Sequence, residues 1–199
     1  MPSARLEFWY DFASTYSYLS AMRIEALAAA AGVEVAWKPF LLGPIFAAQG
    51  WTTSPFNIYP AKGRNMVRDI ERLAAQRGLN FALPNKFPQN SLTAARLALV
   101  GADQGWIAPF TRAVYAAEFA SGADISDRAV LSSILQSLQL DSQKIFSAIE
   151  EPDLKDRLRR QTAHAQASGI FGAPSFLVGA ELFWGDDRLE QALAWTRRG

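Results

Sequence analysis

Residues 8–19 read Phe8-Trp9-Tyr10-Asp11-Phe12-Ala13-Ser14-Thr15-Tyr16-Ser17-Tyr18-Leu19. The first three close a run, 6–10, in which Leu6, Phe8 and Tyr10 alternate with Glu7 and Trp9. That period of two predicts a strand. Residues 11–15 carry cap-type side chains and predict a turn into a helix. From 16 to 31 the apolar positions Leu19, Met22, Ala26, Leu27 and Ala30 keep helical spacing, and Gly32 is a natural stop. Val33, Val35 and Trp37 then alternate with polar or small neighbours, a second strand ending near Pro39. The unit is βαβ, with parallel strands and a right-handed crossover expected. A hydroxyl at its strand–helix junction faces unpaired backbone N–H groups at the positive end of a helix, a place that stabilises an anion. Ser14 or Thr15 serves equally as a plain cap, and so does Asp11.

Outward from this unit the pattern changes. Residues 43–60 are rich in Gly, Pro, Ser and Thr and predict a long loop with at most one helical turn. Helices are expected over 65–76, 91–102, 107–119, 128–138, 142–149 and 153–167, with a Pro-containing loop at 81–89. Asp141 or Ser142 can cap one helix, and Ser126 or Asp127 another. Residues 175–178 and 181–184 flank Gly179-Ala180, a two-residue hairpin signal, and a last helix is expected over 188–196. The order is βαβ, a helical block, then ββα. We expect a mixed α/β core formed by residues 1–42 and 168–199, with an all-helical insertion over 43–167.

Composition removes several function classes. Half of the 199 residues are apolar and 20% are charged, enough for a packed core. Twenty basic against nineteen acidic residues leave a charge of +1, with no electrostatic footprint for nucleic acid or an anionic membrane. There is no cysteine and one histidine, His164. Disulfide scaffolds, thiolate nucleophiles and Cys- or His-built metal sites are excluded, so no metal is expected. His164 lies among Ala and Gln and reads as a helix-face residue. No apolar run approaches the ~20 residues of a membrane helix. Met1 leads directly into the first strand without a signal-peptide core, and a cytoplasmic protein is expected.

Two late segments bear on chemistry. Phe171-Gly172-Ala173-Pro174-Ser175-Phe176 opens a strand with proline, which the first residue of a strand tolerates. A trans Ala173–Pro174 bond is the ordinary reading, and a cis bond would turn the Ala173 backbone toward a ligand. Asp186 and Asp187, before the last helix, cap it or hold a charged group.

Taken together, these pieces resemble the 2-hydroxychromene-2-carboxylate isomerases and the related kappa-class glutathione transferases, in the DsbA-like branch of the thioredoxin fold. The matching pieces are residues 8–19, Pro60-Ala61-Lys62-Gly63-Arg64, residues 68–74, Phe87-Pro88-Gln89-Asn90-Ser91, residues 169–176 and Trp184-Gly185-Asp186-Asp187-Arg188. They span nearly the whole chain in order. The resemblance implies a thioredoxin-like (DsbA-like) α/β core with a large all-helical insertion. It implies that Ser14 replaces the first redox cysteine, with Ser17 at the second, and that reduced glutathione is the cofactor. It assigns the glutathione site to Ser14, Asn57, Ala173, a cis Pro174, Asp186, Asp187 and Arg188. The implied reaction is cis–trans isomerisation of an aromatic 2-oxo acid in aromatic catabolism, by reversible thiol addition, bond rotation and elimination. A homodimer is implied as well.

A borrowed thiol suits a chain with no sulfur nucleophile. A free thiol has a pKa of ~8.5, and each unit of depression requires ~1.4 kcal/mol, within reach of a charge-assisted hydrogen bond and a helix-end field. Lys62 and Arg64 are candidates for the substrate carboxylate, or a solvated helix end. Trp184 is a further candidate beside the substrate, whereas Trp37, Trp51, Trp106 and Trp195 read as core or interface. Thr15 stands where many relatives have Pro, Asn65 where they have an aromatic residue, and a lysine seen near Phe46 in naphthalene-pathway isomerases has no counterpart. The rival readings are a kappa-like glutathione transferase and a non-catalytic thioredoxin-like binding module.

Overall fold

The computed structural model describes residues 4–51 and 53–197. The start of the chain, on which the expectation of no signal segment rests, includes Met1 to Ser3, outside the described residues. Strand β1, Ala4–Tyr10, is the centre of the molecule. It pairs in parallel with β2, Val33–Pro39, in register from Ala4 opposite Val33 to Tyr10 opposite Pro39. On its other side it pairs antiparallel with β3, Ser175–Val178, which turns back into β4, Glu181–Trp184. The sheet order is β2-β1-β3-β4. A strand covered on both faces is apolar at successive positions, and Phe8, Trp9 and Tyr10 are all buried. Phe8 stacks on Tyr10 and Phe176 on one face. Trp9 packs with Phe40, Ile170 and Leu177 on the other. The His164 ring, 5.7 Å from that of Trp9, lies on an exposed helix face, as expected.

The helix expected over 16–31 is two helices, α1, Thr15–Ala21, and α2, Ile24–Ala31. At the break, Arg23 leaves helical geometry and its guanidinium reaches the Asp186 carbonyl at 2.7 Å. A partner 163 residues away overrides local periodicity.

Residues 43–60 are not a long loop. They hold α3, Leu42–Ala48, and α4, Pro55–Ile58. The first amide of α3, on Leu42, donates to the buried Asp11 carboxylate at 2.7 Å, a cap supplied from outside the segment. Helix α5, Pro60–Gln76, starts five residues earlier than expected, with Pro60 in its first turn. There follow α6, Leu92–Gln104, and α7, Ile107–Tyr115, which continues as a π-helical turn over Ala116–Ala120. Then come α8, Arg128–Ser137, α9, Ser142–Ala148, and α10, Pro152–Ala167. Asp127 and Asp141 are the caps of α8 and α9. A 3-10 turn, Asp186–Arg188, precedes α11, Leu189–Trp195.

Trp37 and Trp106 are in the core, but Trp51 is not. Ala173–Pro174 is cis, as the resemblance implied, and Phe87–Pro88 is also cis. Among the described residues no helix is long and apolar enough to cross a membrane, and no group of three or more His, Asp or Glu side chains is placed to hold a metal.

Candidate active site

Ser14 ends the β1–α1 turn in extended geometry, where a cap belongs, and its Oγ accepts from the Ser17 amide at 3.2 Å. The same Oγ donates to the Ala173 carbonyl at 2.9 Å, joining the first turn of the chain to the segment before β3. Of the alternatives open in sequence, Ser14 is therefore the cap of α1. Asp11 braces the turn and α3 instead, since its carboxylate accepts from Ala13 N at 3.0 Å and from Leu42 N. Burial pushes that carboxyl's pKa up, against the opposing pull of the Leu42 amide, the Ser91 side chain and the Ala13 amide.

These residues lie in a cleft of about 2180 Å³. Drug-sized pockets are usually ~300–1,000 Å³, so this one has room for a peptide and a second small molecule. Its walls are the α1 N-terminus, α3 with Trp51, one face of α5, residues 88–92, residues 171–174 and the turn 184–188.

Of the residues the sequence suggested, the structure brings Ser14, Lys62, Ala173, Pro174, Trp184, Asp186, Asp187 and Arg188 to this cleft. Asn57 and Arg64 are not among its lining residues. They border a neighbouring groove of about 500 Å³, which includes Leu83 and shares Met66 and Phe87 with the cleft. The reason is helical geometry. At ~100° per residue, Lys62, Asn65, Met66, Asp69, Leu73 and Arg77 share one face of α5, and Arg64 sits opposite. Asn57, on α4, is exposed and donates its amide to Thr53.

Asp186 lines the cleft but offers no free carboxylate. It is almost fully buried, its Oδ1 accepts from Ser20 Oγ at 2.8 Å and lies near Arg23, and its Oδ2 accepts from Arg77 at 2.6 Å. Asp187 and Arg188, by contrast, are both exposed at the rim, where their side chains pair with each other at 3.6 Å. Arg77, one side-chain nitrogen of which is buried without a partner, is a residue sequence reasoning missed.

Also missed were Tyr16, Asp69, Asn65, Phe46, Trp51 and Phe171, all lining the cleft. The Tyr16 hydroxyl donates to Asp69 at 2.8 Å, and burial together with that carboxylate pushes the phenol's pKa up. The α5 residues were findable once the helix is begun at Pro60, because their period then selects one stripe. Phe171 and Trp184 form a pair of exposed rings with centroids 4.9 Å apart. Gly172 makes room for this pair: a Cβ there would fall 2.4 Å from the Trp184 indole nitrogen.

A family model described as a DSBA-like thioredoxin domain matches residues 5–194. The chain is 28% identical over 186 residues to a 2-hydroxychromene-2-carboxylate isomerase of Sphingobium xenophagum, covering 93% of this chain and 94% of that protein. It is 24% identical over 210 residues to glutathione s-transferase kappa 2 of Caenorhabditis elegans, covering 96% and 91%. Among solved structures, a 2-hydroxychromene-2-carboxylate isomerase superposes with a TM-score of 0.87 at 23% identity, covering 98% of this chain and 95% of the other. The cytosolic disulfide reductase DsbM from Pseudomonas aeruginosa with GSH superposes at 0.67 and 16% identity, covering 98% and 96%.

Proposed function

The chain belongs to the family of DSBA-like thioredoxin domains, and from that premise we propose that it is a glutathione-dependent cis–trans isomerase of an aromatic 2-oxo acid. The observation that carries this reading is Ser14. A serine caps α1 at the head of a large cleft, bonded to the Ala173 carbonyl, in a chain with no cysteine for dithiol chemistry. Relatives named as isomerases and as a kappa transferase support it, as does the similar structure of DsbM with GSH.

The residues present fit the tripeptide. Ser14 offers a hydroxyl, Ala173 a backbone carbonyl at the cleft wall, and Asp187 and Arg188 opposite charges at one end. When bound, reduced glutathione supplies the sulfur nucleophile for reversible addition to a conjugated double bond. The Ser14 hydroxyl has a single proton. Turned from the Ala173 carbonyl to a sulfur anion, it stabilises that anion and frees the carbonyl to accept from a ligand amide. Arg23 and Arg77 hold the Asp186 charge in a compensated network, so it does not oppose an anion in the cleft. Lys62 meets the carboxylate of the oxo acid. We place the enzyme in the cytoplasm as a homodimer, built of residues 1–42 and 168–199 with the helical insertion 43–167.

Replacing Ser14 by Ala tests the reading. Turnover of a 2-hydroxychromene-2-carboxylate-type substrate is expected to fall roughly ten- to a thousandfold, the scale for losing one positioned donor. Unchanged turnover makes Ser14 a cap alone. Glutathione accounting separates isomerase from transferase, because isomerisation returns the free thiol and transfer consumes it. No calorimetric binding of glutathione at millimolar concentration would leave a non-catalytic binding module.

A further inference from the structure

Two aromatic pairs line the cleft, and they stand on different walls. Phe171 and Trp184 adjoin Ala173 and the 185–188 turn, the part of the cleft assigned above to the tripeptide. Phe46 and Trp51 stand on the α3 wall. Their position follows from short links to Ser14. Leu42 is tied to Asp11 at 2.7 Å, and Phe46 is one turn further along α3, about 6 Å. The chain then folds back, so that the Trp51 amide donates to the Phe46 carbonyl at 3.0 Å and the two rings lie 5.5 Å apart at 49°.

The α5 wall is anchored just as closely. Thr15, beside Ser14, donates to the Met66 sulfur at 3.2 Å. Lys62 is one turn before Met66 on the same face, and Asn65 adjoins it. The Lys62 ammonium lies 4.7 Å from the centre of the Tyr59 ring and has no carboxylate partner among the described residues. The carboxylate of this face, Asp69, is taken by Tyr16 and Arg72. A half-buried aromatic wall and an unneutralised cation with an amide neighbour thus each sit about one helical turn from residues that touch the Asp11–Thr15 segment. Charge and shape together match a flat ring bearing a carboxylate.

We propose that Phe46 and Trp51 are the ring-binding wall for the second substrate and that Asn65 joins Lys62, assigned above to its carboxylate, which makes Phe46, Trp51 and Asn65 specificity-determining residues selecting aryl-substituted acids over small 2-oxo acids. This rests on the isomerase reading and adds the placement of the substrate within that cleft.

The test uses 3-phenylpropanoate, which carries the ring and the carboxylate but no double bond to accept a thiol. It is titrated calorimetrically into the protein in the presence of saturating glutathione. Trp51→Ala is expected to weaken binding roughly ten- to a hundredfold, the effect of removing a ring contact, and Trp51→Phe to leave it within about threefold. Lys62→Met is expected to weaken the acid about tenfold or more while leaving 3-phenylpropanamide unchanged. Glutathione affinity, titrated alone, stays constant in all three variants. Wild-type affinity for 3-phenylpropanoate in Trp51→Ala overturns the wall, and equal loss of acid and amide in Lys62→Met overturns the carboxylate assignment. Loss of glutathione binding in Trp51→Ala gives the wall to the tripeptide and also overturns the proposal, with the parent reading intact. Failure of the wild type to bind glutathione at all overturns the parent reading instead.

Discussion

Glu118 is fully buried in the π-helical turn after α7, and neither carboxyl oxygen has a hydrogen-bond partner among the described residues. Burial, with lesser repulsion from Asp11 and Asp124, pushes its pKa up to about 9. The unfolded chain releases this proton near the ordinary value of 4.5, whereas the folded chain keeps it. Stability therefore falls as pH rises from about 4.5 to about 9, by up to about 1.4 kcal/mol per unit within that window. Glu118→Gln removes the ionisation. The variant is expected to be more stable than the wild type at pH ~8 and to show a flatter dependence between pH ~5 and ~9, measured by urea denaturation. An unchanged slope would mean that Glu118 is ionised in the fold. Ser14 carries a second residue-scale expectation. Loss of its cap in Ser14→Ala costs about 1 kcal/mol of stability, so activity is compared at a temperature where both proteins are folded. Ser14 was legible because it stands at a strand–helix junction. Glu118 was not, because nothing local distinguishes a buried glutamate from one on a solvated helix face.

Among the elements, the turn 185–188 is held by an ion cluster of distant origin. Asp186 meets Ser20 on α1, Arg23 at the α1–α2 break and Arg77 just past α5, and Arg23 also pairs with Glu190 on α11. Breaking a buried cluster by deleting its central charge leaves Arg77 without its carboxylate and Arg23 with Glu190 alone, typically ~3–5 kcal/mol. Asp186→Ala is expected to lower the melting temperature by roughly 6–20 °C, given ~2–4 °C per kcal/mol at this chain length. A shift under about 2 °C would show that the cluster contributes little. Strands β1 to β4 were readable from alternation because a half- or fully covered sheet imposes its period on the side chains. Helix α3 was not, because Asp11 supplies its first acceptor. Nor was the interruption at Arg23, whose partners lie across the molecule.

At the scale of the molecule, the cleft exists only because the helices after β2 fold back over the β1–α1 turn. Ligand binding therefore bridges both parts of the chain, and a ligand that binds only the native state stabilises it by about 2.7 kcal/mol at ~100 times Kd. Saturating reduced glutathione is expected to raise the melting temperature by roughly 5–10 °C. The shift should shrink in Ser14→Ala, and no shift in the wild type would argue against a glutathione site. Most of the site residues expected from the sequence line the cleft, and the exceptions lie on α4 and α5. Arg64 and Asn57 border the other groove, while Asn65, Asp69 and Arg77 take the inner face.

Alternation, helical spacing, the absence of cysteine and the Ser14 junction are properties of neighbouring residues, and the amino-acid sequence alone was enough to establish the α/β order and the candidate anion-stabilising hydroxyl. Which face of α5 looks inward, which carboxylate is free and which aromatic rings line the cleft depend on contacts between residues as far as 166 positions apart. Such contacts carry no local period, so only the folded chain decides them.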